Sequence, residues 1–157
     1  MRPRYAEPAT PVTSLTGIAP VAEEWSRTFD FLPGAAQLAR LHTRTRLTMF
    51  RWSGNSEGAT QAAGILVGNA VAHADPGPTA EDRQVRLRLA ITEDHELTIE
   101  VRDPIPQFRD FEQAPAGQER RGLWTLRRLG GELSWFLCHD RVGKTVRARM
   151  TPGPVPA

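Results

Sequence analysis

Apolar and polar positions change period several times along the chain, and each change marks an element. From Glu24 to Phe31, Trp25, Phe29 and Phe31 all fall on one set of alternate positions among polar neighbours, which predicts a strand with one buried face, ended by Pro33-Gly34. A helix is expected over about Ala35 to Met49, where Leu38, Leu41, Leu47 and Phe50 keep a loose helical period. After the turn Ser53-Gly54-Asn55-Ser56, with Ser56 as a candidate N-cap, a second helix runs to about Ala74, where Asp75-Pro76-Gly77-Pro78 must stop it. Two alternating runs follow, Gln84 to Thr92 and Leu97 to Asp103, joined by Glu93-Asp94-His95-Glu96 as a hairpin. Asp103-Pro104-Ile105-Pro106 opens an irregular loop to about Glu119. A short helix is then expected from Gly122 to Leu129, stopped by Gly130-Gly131. Strands over Glu132 to Cys138 and Thr145 to Met150 flank a turn at Asp140 to Lys144. The order β-α-α-β-β-α-β-β predicts an α+β two-layer sandwich, a mainly antiparallel sheet covered on one face by helices.

Composition refines this outline. Residues 1–23, with Pro3, Pro8, Pro11 and Pro20 among small polar residues, read as a flexible arm, residues 24–150 as one domain, and residues 151–157 as a flexible tail. The net charge is only +2, with both signs interspersed, so direct nucleic-acid binding is not expected. The lone Cys138 excludes an internal disulfide and, within an apolar run, reads as a core thiol in a reducing compartment. No segment has membrane-spanning length, and no apolar stretch follows Arg2 and Arg4 as a secretory signal would require. The expected location is cytoplasmic.

Candidate chemistry concentrates at four places. In Gly64 to Ala74, helical spacing puts Ile65, Asn69 and His73 on one face, while Ala62, Leu66, Ala70, Val67 and Val71 supply a packing face. Taken alone, Asn69 and His73 read first as a buried pair bonded to nearby backbone. Asp103 closes an apolar strand and opens the long loop, so it can accept from a ligand or simply form a turn ahead of Pro104. Arg120-Arg121-Gly122-Leu123 begins a helix and reads either as a phosphate site or as solvated surface. Gly143-Lys144-Thr145 is no phosphate loop, because Cys138 stands where that motif needs glycine and a strand follows; it reads as a hairpin turn with an exposed lysine. His42, His73, His95 and Cys138-His139 lack zinc-ligand spacing, and no serine sits in a nucleophile elbow.

In this order, Asn69/His73, Asp103, Gly122-Leu123 and Gly143-Lys144-Thr145-Val146 resemble the N box and glycine boxes of the GHKL (histidine kinase-like) ATPase superfamily. More narrowly, they resemble the anti-sigma-factor serine/threonine kinase-like ATP-binding proteins abundant in actinobacteria. The resemblance spans about Trp25 to Met150 and implies a histidine kinase-like ATPase fold. It implies ATP and Mg²⁺ as cofactors. Asn69 would ligate Mg²⁺ beside His73 of the same box, and Asp103 would accept from the adenine amino group with Thr145 close by. Arg121 and the amides of Gly122 and Leu123 would meet phosphates, under a lid formed by Pro104 to Glu119. Three departures accompany it: Ile65 stands at the usual general-base glutamate, Ile105 and Gln107 at flexible glycines, and Arg120 at the first glycine of the phosphate turn. An alkyl group cannot accept a proton. The function so implied is an ATP-binding regulatory protein that engages a sigma factor or an anti-anti-sigma protein, with weak or no phosphoryl transfer. The alternatives are an active serine/threonine kinase of an anti-anti-sigma protein and a nucleotide-free pseudokinase binding module. The resemblance also implies a possible homodimer, with exposed Trp or Leu on the first strand and helix as candidate contacts.

Overall fold

The computed structural model describes residues 19–72, 83–104, 125–126, 128–137 and 143–153. Its elements are β1 (Val21–Asp30), α1 (Ala35–Phe50), α2 (Ser56–Ala72), β2 (Gln84–Thr92), β3 (Leu97–Asp103), β4 (Glu132–Leu137) and β5 (Lys144–Met150). All five strands form one antiparallel sheet in the order β1-β2-β3-β5-β4, with both helices on one face. This is the two-layer α+β sandwich that the hydrophobic pattern predicts.

Strand alternation sorts the side chains into two faces. On the covered face, Val85, Leu87 and Leu89 meet Ile99, Val101 and Ala148, and α2 closes the layer with Ala62, Ala63, Leu66 and Val67. Small residues let the helices approach. At Gly64 a Cβ would lie 2.6 Å from the Arg40 guanidinium of α1, so the absent side chain makes room for the arginine stem. The open face carries a charge ladder running through all five strands. Glu24 of β1 pairs with Arg88 of β2, Arg88 with Glu100 of β3 at 3.2 Å, and Glu100 with Arg147 of β5 at 2.6 Å. The Arg147 guanidinium in turn lies 4.8 Å from the ring of Phe136 on β4. Cross-strand pairs of opposite sign stabilise neighbouring strands and keep a sheet face wettable.

Several boundaries differ from the pattern. β1 starts at Val21, inside the segment read as an arm, because backbone pairing to β2 continues past the last buried side chain, through an irregularity between Val21 and Glu23. The cap of α2 is Asn55, not Ser56. The Asn55 side-chain oxygen accepts from the Gly58 amide at 2.9 Å, satisfying one of the donors that a helix start leaves unpaired. The third expected helix is seen as a turn at Thr125, Leu126 and Arg128, closed by Gly130 at φ +92°; its first residues lie outside the described residues. So do residues 1–18 of the expected arm, residues 154–157 of the tail, and Cys138. Among the described residues no helix is long and apolar enough to cross a membrane.

Candidate functional site

Asp103 is the last residue of β3 and Lys144 the first of β5, and the antiparallel register sets them directly opposite. Both share the helix-covered face with Val101 and Val146, two residues inward. They end an otherwise apolar row with an aspartate 3% exposed and a lysine 7% exposed. The Lys144 Nζ donates to Asp103 Oδ1 at 3.1 Å and lies 3.0 Å from Oδ2, so it serves both carboxylate oxygens. Burial of either charge alone costs several kcal/mol, and their juxtaposition is what makes both tolerable.

Gly143 holds the two strand ends together. A Cβ there would lie 2.1 Å from the Asp103 carbonyl oxygen, closer than a side chain can come, and 3.1 Å from the Pro104 Cα. The missing side chain therefore lets β5 begin pressed against the end of β3, with the Lys144 stem lying across the carboxylate. The hairpin reading, in which Lys144 is exposed, is corrected on this point: the residue begins the strand and is buried. Composition carried an unused signal, since Lys144 is the sole lysine in a chain with 19 arginines. A compact ammonium on a flexible stem fits a closed site that the broad guanidinium fork does not.

Thr145 is buried, but the register opposes it to Arg102 and Phe136. It is therefore directed to the sheet face opposite Asp103, and the residue on the carboxylate's own face is Lys144.

The α2 face is partly as expected. Leu66 and Val67 are buried, Asn69, Ala70 and Val71 are half-buried, and Ile65 packs against the edge of the core. Ile65 and Asn69 lie one turn apart on a helix that rests against β2, β3 and β5. His73, Arg120, Arg121, Gly122 and Leu123 lie outside the described residues, as do Ile105, Gln107 and most of the expected lid. Among the described residues no cluster of His, Cys, Asp and Glu has the makings of a metal site.

A nucleotide with Mg²⁺ would need a hard oxygen ligand at Asn69, a free acceptor at Asp103 and a proton acceptor near Ile65. Asn69 supplies the first. The other two fit less well: the Asp103 carboxylate is already ion-paired with Lys144, whose Nζ lies within 3.1 Å of both oxygens, and Ile65 is an alkyl group packed against the core.

Beyond the sheet, His42 of α1 stacks on Trp25 of β1 at 5.6 Å and lies 6.0 Å from Phe29. Burial first, and then Arg27 and Arg46, hold its imidazole below the ordinary value. Trp25 is thus only half-exposed, covered by His42 and by Arg46 5.3 Å above its ring. The exposed apolar residues nearby are Leu38, Leu41 and Met49 on α1 and Leu32 just before it.

No protein-family model matches the sequence, and no protein of described function matches it significantly. Solved structures do. One is the structure of the RsbU and RsbW domains of Rv1364c from Mycobacterium tuberculosis, with a TM-score of 0.60 at 18% identity, covering 87% of this chain and 34% of that one. This chain therefore spans about a third of that structure's length. Another is a chain of the SiaB–SiaC complex from Pseudomonas aeruginosa, with a TM-score of 0.58 at 15% identity, covering 88% of this chain and 94% of that one. Likeness at such identities speaks for the fold alone, and together with the strand order and helix placement it gives this chain the histidine kinase-like ATPase fold.

Proposed function

We propose that this protein is a regulatory binding module of the sigma-factor pathway that acts by engaging a protein partner, an anti-anti-sigma protein in first place, and does not transfer phosphate. The observation that carries this reading is Ile65. It occupies the α2 position one turn before Asn69, and its side chain packs against the core where phosphoryl transfer to a hydroxyl would call for a proton acceptor. The expectation of bound Mg-ATP keeps the support of Asn69 and of the fold but is opposed at Asp103, so the working form is proposed to be nucleotide-free. Two neighbours support a role in partner binding: one contains an RsbW domain beside an RsbU domain, and the other is a complex of SiaB with SiaC.

Titration calorimetry of the full chain against candidate anti-anti-sigma and sigma proteins, alone and with Mg-ATP, tests the reading. Saturable binding to one candidate, indifferent to nucleotide, is expected. Incubation of the same pair with radiolabelled ATP should leave the partner unlabelled. Label that appears with the wild type and disappears in Asn69→Ala would refute the absence of phosphoryl transfer, and no binding to any candidate would refute the partner.

A further inference from the structure

We infer that Lys144 is a built-in occupant of the Asp103 carboxylate, an intramolecular ammonium that fills the position where the fold would otherwise take up the amino group of an aminopurine such as adenosine. The inference rests on the nucleotide-free reading above and supplies its physical cause.

Four observations converge on it. The pair is buried on both sides, and both carboxylate oxygens lie within 3.1 Å of one Nζ. It sits on the helix-covered face, at the end of the row formed by Val101 and Val146. Gly143 lets the start of β5 lie against the Asp103 carbonyl, 2.1 Å from where a Cβ would stand. The residue is the only lysine of the chain, whereas the open sheet face and the helix surfaces use arginine throughout.

The chemistry gives the lysine the advantage. A buried carboxylate requires charge compensation as well as hydrogen-bond donors. An exocyclic amino group donates but is neutral, whereas an ammonium does both. Lys144 is also tethered, so its local concentration at Asp103 far exceeds that of any free ligand. An aminopurine at Asp103 would have to displace this ammonium from the carboxylate oxygens that it contacts.

Removing the side chain therefore opens the site. Lys144→Ala leaves a buried carboxylate facing a cavity the size of the lost stem, and two probes of different chemistry fit it: ethylammonium, which restores the missing cation, and adenosine, which supplies the amino donor. The test follows thermal unfolding and calorimetric binding of the full chain with each probe. Wild type is expected to show no saturable shift with either. Lys144→Ala should gain a saturable upward shift with both, and the added change Asp103→Ala should weaken adenosine binding by about 10- to 100-fold, the worth of one charge-assisted hydrogen bond. A second measurement needs no variant. Because Lys144 is the sole lysine, a sample labelled with ¹⁵N-lysine gives one ε-ammonium signal, which should exchange slowly and ignore added adenosine. A wild-type signal that moves with adenosine, or a wild-type thermal shift, overturns the nucleotide-free reading and this inference together. Folded Lys144→Ala that gains no binding while the wild type also shows none overturns this inference alone. If Lys144→Ala folds only when ethylammonium is present, the inference is supported; if it folds under neither condition, a wild-type ammonium signal in fast exchange overturns it.

Discussion

Breaking the Lys144–Asp103 pair from its two sides should produce stability losses that do not add. At the observed 3.0 Å, the gross attraction is about 5–6 kcal/mol for an effective dielectric near 20, most of it offset by desolvation of the two ions. Removing one member of a buried pair takes away the charge that made burial of the other tolerable, and such changes cost about 3–5 kcal/mol. Asp103→Ala and Lys144→Met should each lose about that much, whereas the double variant, which removes both charges, should lose clearly less than the sum of the two. Urea unfolding of the wild type, the two single variants and the double variant measures the difference. Losses that add would refute the claim that the two charges compensate each other in the folded chain.

Further outcomes follow from other contacts. Gly143→Ala places a methyl against the Asp103 carbonyl and should cost about 2 kcal/mol or more by urea unfolding, because the backbone it meets cannot move aside cheaply. Asn55→Ala removes the bond to the Gly58 amide and should cost about 1 kcal/mol, whereas Ser56→Ala should cost much less, a difference that chemical denaturation resolves. His42 is held below its ordinary value, so as pH falls through about 6.5 the unfolded chain takes up the proton first and stability declines. In His42→Gln that part of the acid decline should vanish from an unfolding series over this range.

Sequence pattern revealed the sheet and both helices because each buries one face, and burial imprints a period on the chain. Val85, Leu87, Leu89 and then Leu97, Ile99, Val101 alternate for that reason. The start of β1 is not legible because backbone pairing carries Val21 to Glu23, whose side chains are exposed. Asn55 and Ser56 have equal propensity as caps, and only the position of the Gly58 amide separates them. At the candidate site, the order of Asn69, Asp103 and Gly143 was legible, but the occupant of Asp103 was not. Gly143-Lys144-Thr145 has turn composition, and turn composition says nothing about register. The face of a strand residue depends on where its partner strand begins, and a shift of one residue would exchange Lys144 and Thr145 at the carboxylate.

Ile65 and Lys144 bear on different requirements of the same site. In the proposed reading Ile65, on α2, stands where a proton acceptor would be needed, which bears on the transfer of phosphate but not on the holding of a nucleotide. Lys144 lies on β5 and pairs with an acceptor, which bears on the holding and not on the transfer. The first alone would leave a domain able to bind ATP as a static ligand. The second alone would leave a base with little substrate to act on. Both point away from phosphoryl chemistry, and they come from separate elements joined only through the core between them. The fold's scaffold is meanwhile intact, including the glycine that clamps β3 to β5 and the ion-paired face that spans the sheet. A scaffold that keeps its shape while its pocket is satisfied from within favours a fixed surface over a cycle of nucleotide exchange. Partner affinity should then be the same with and without Mg-ATP, and a calorimetric difference of tenfold or more, about 1.4 kcal/mol, would refute that conclusion.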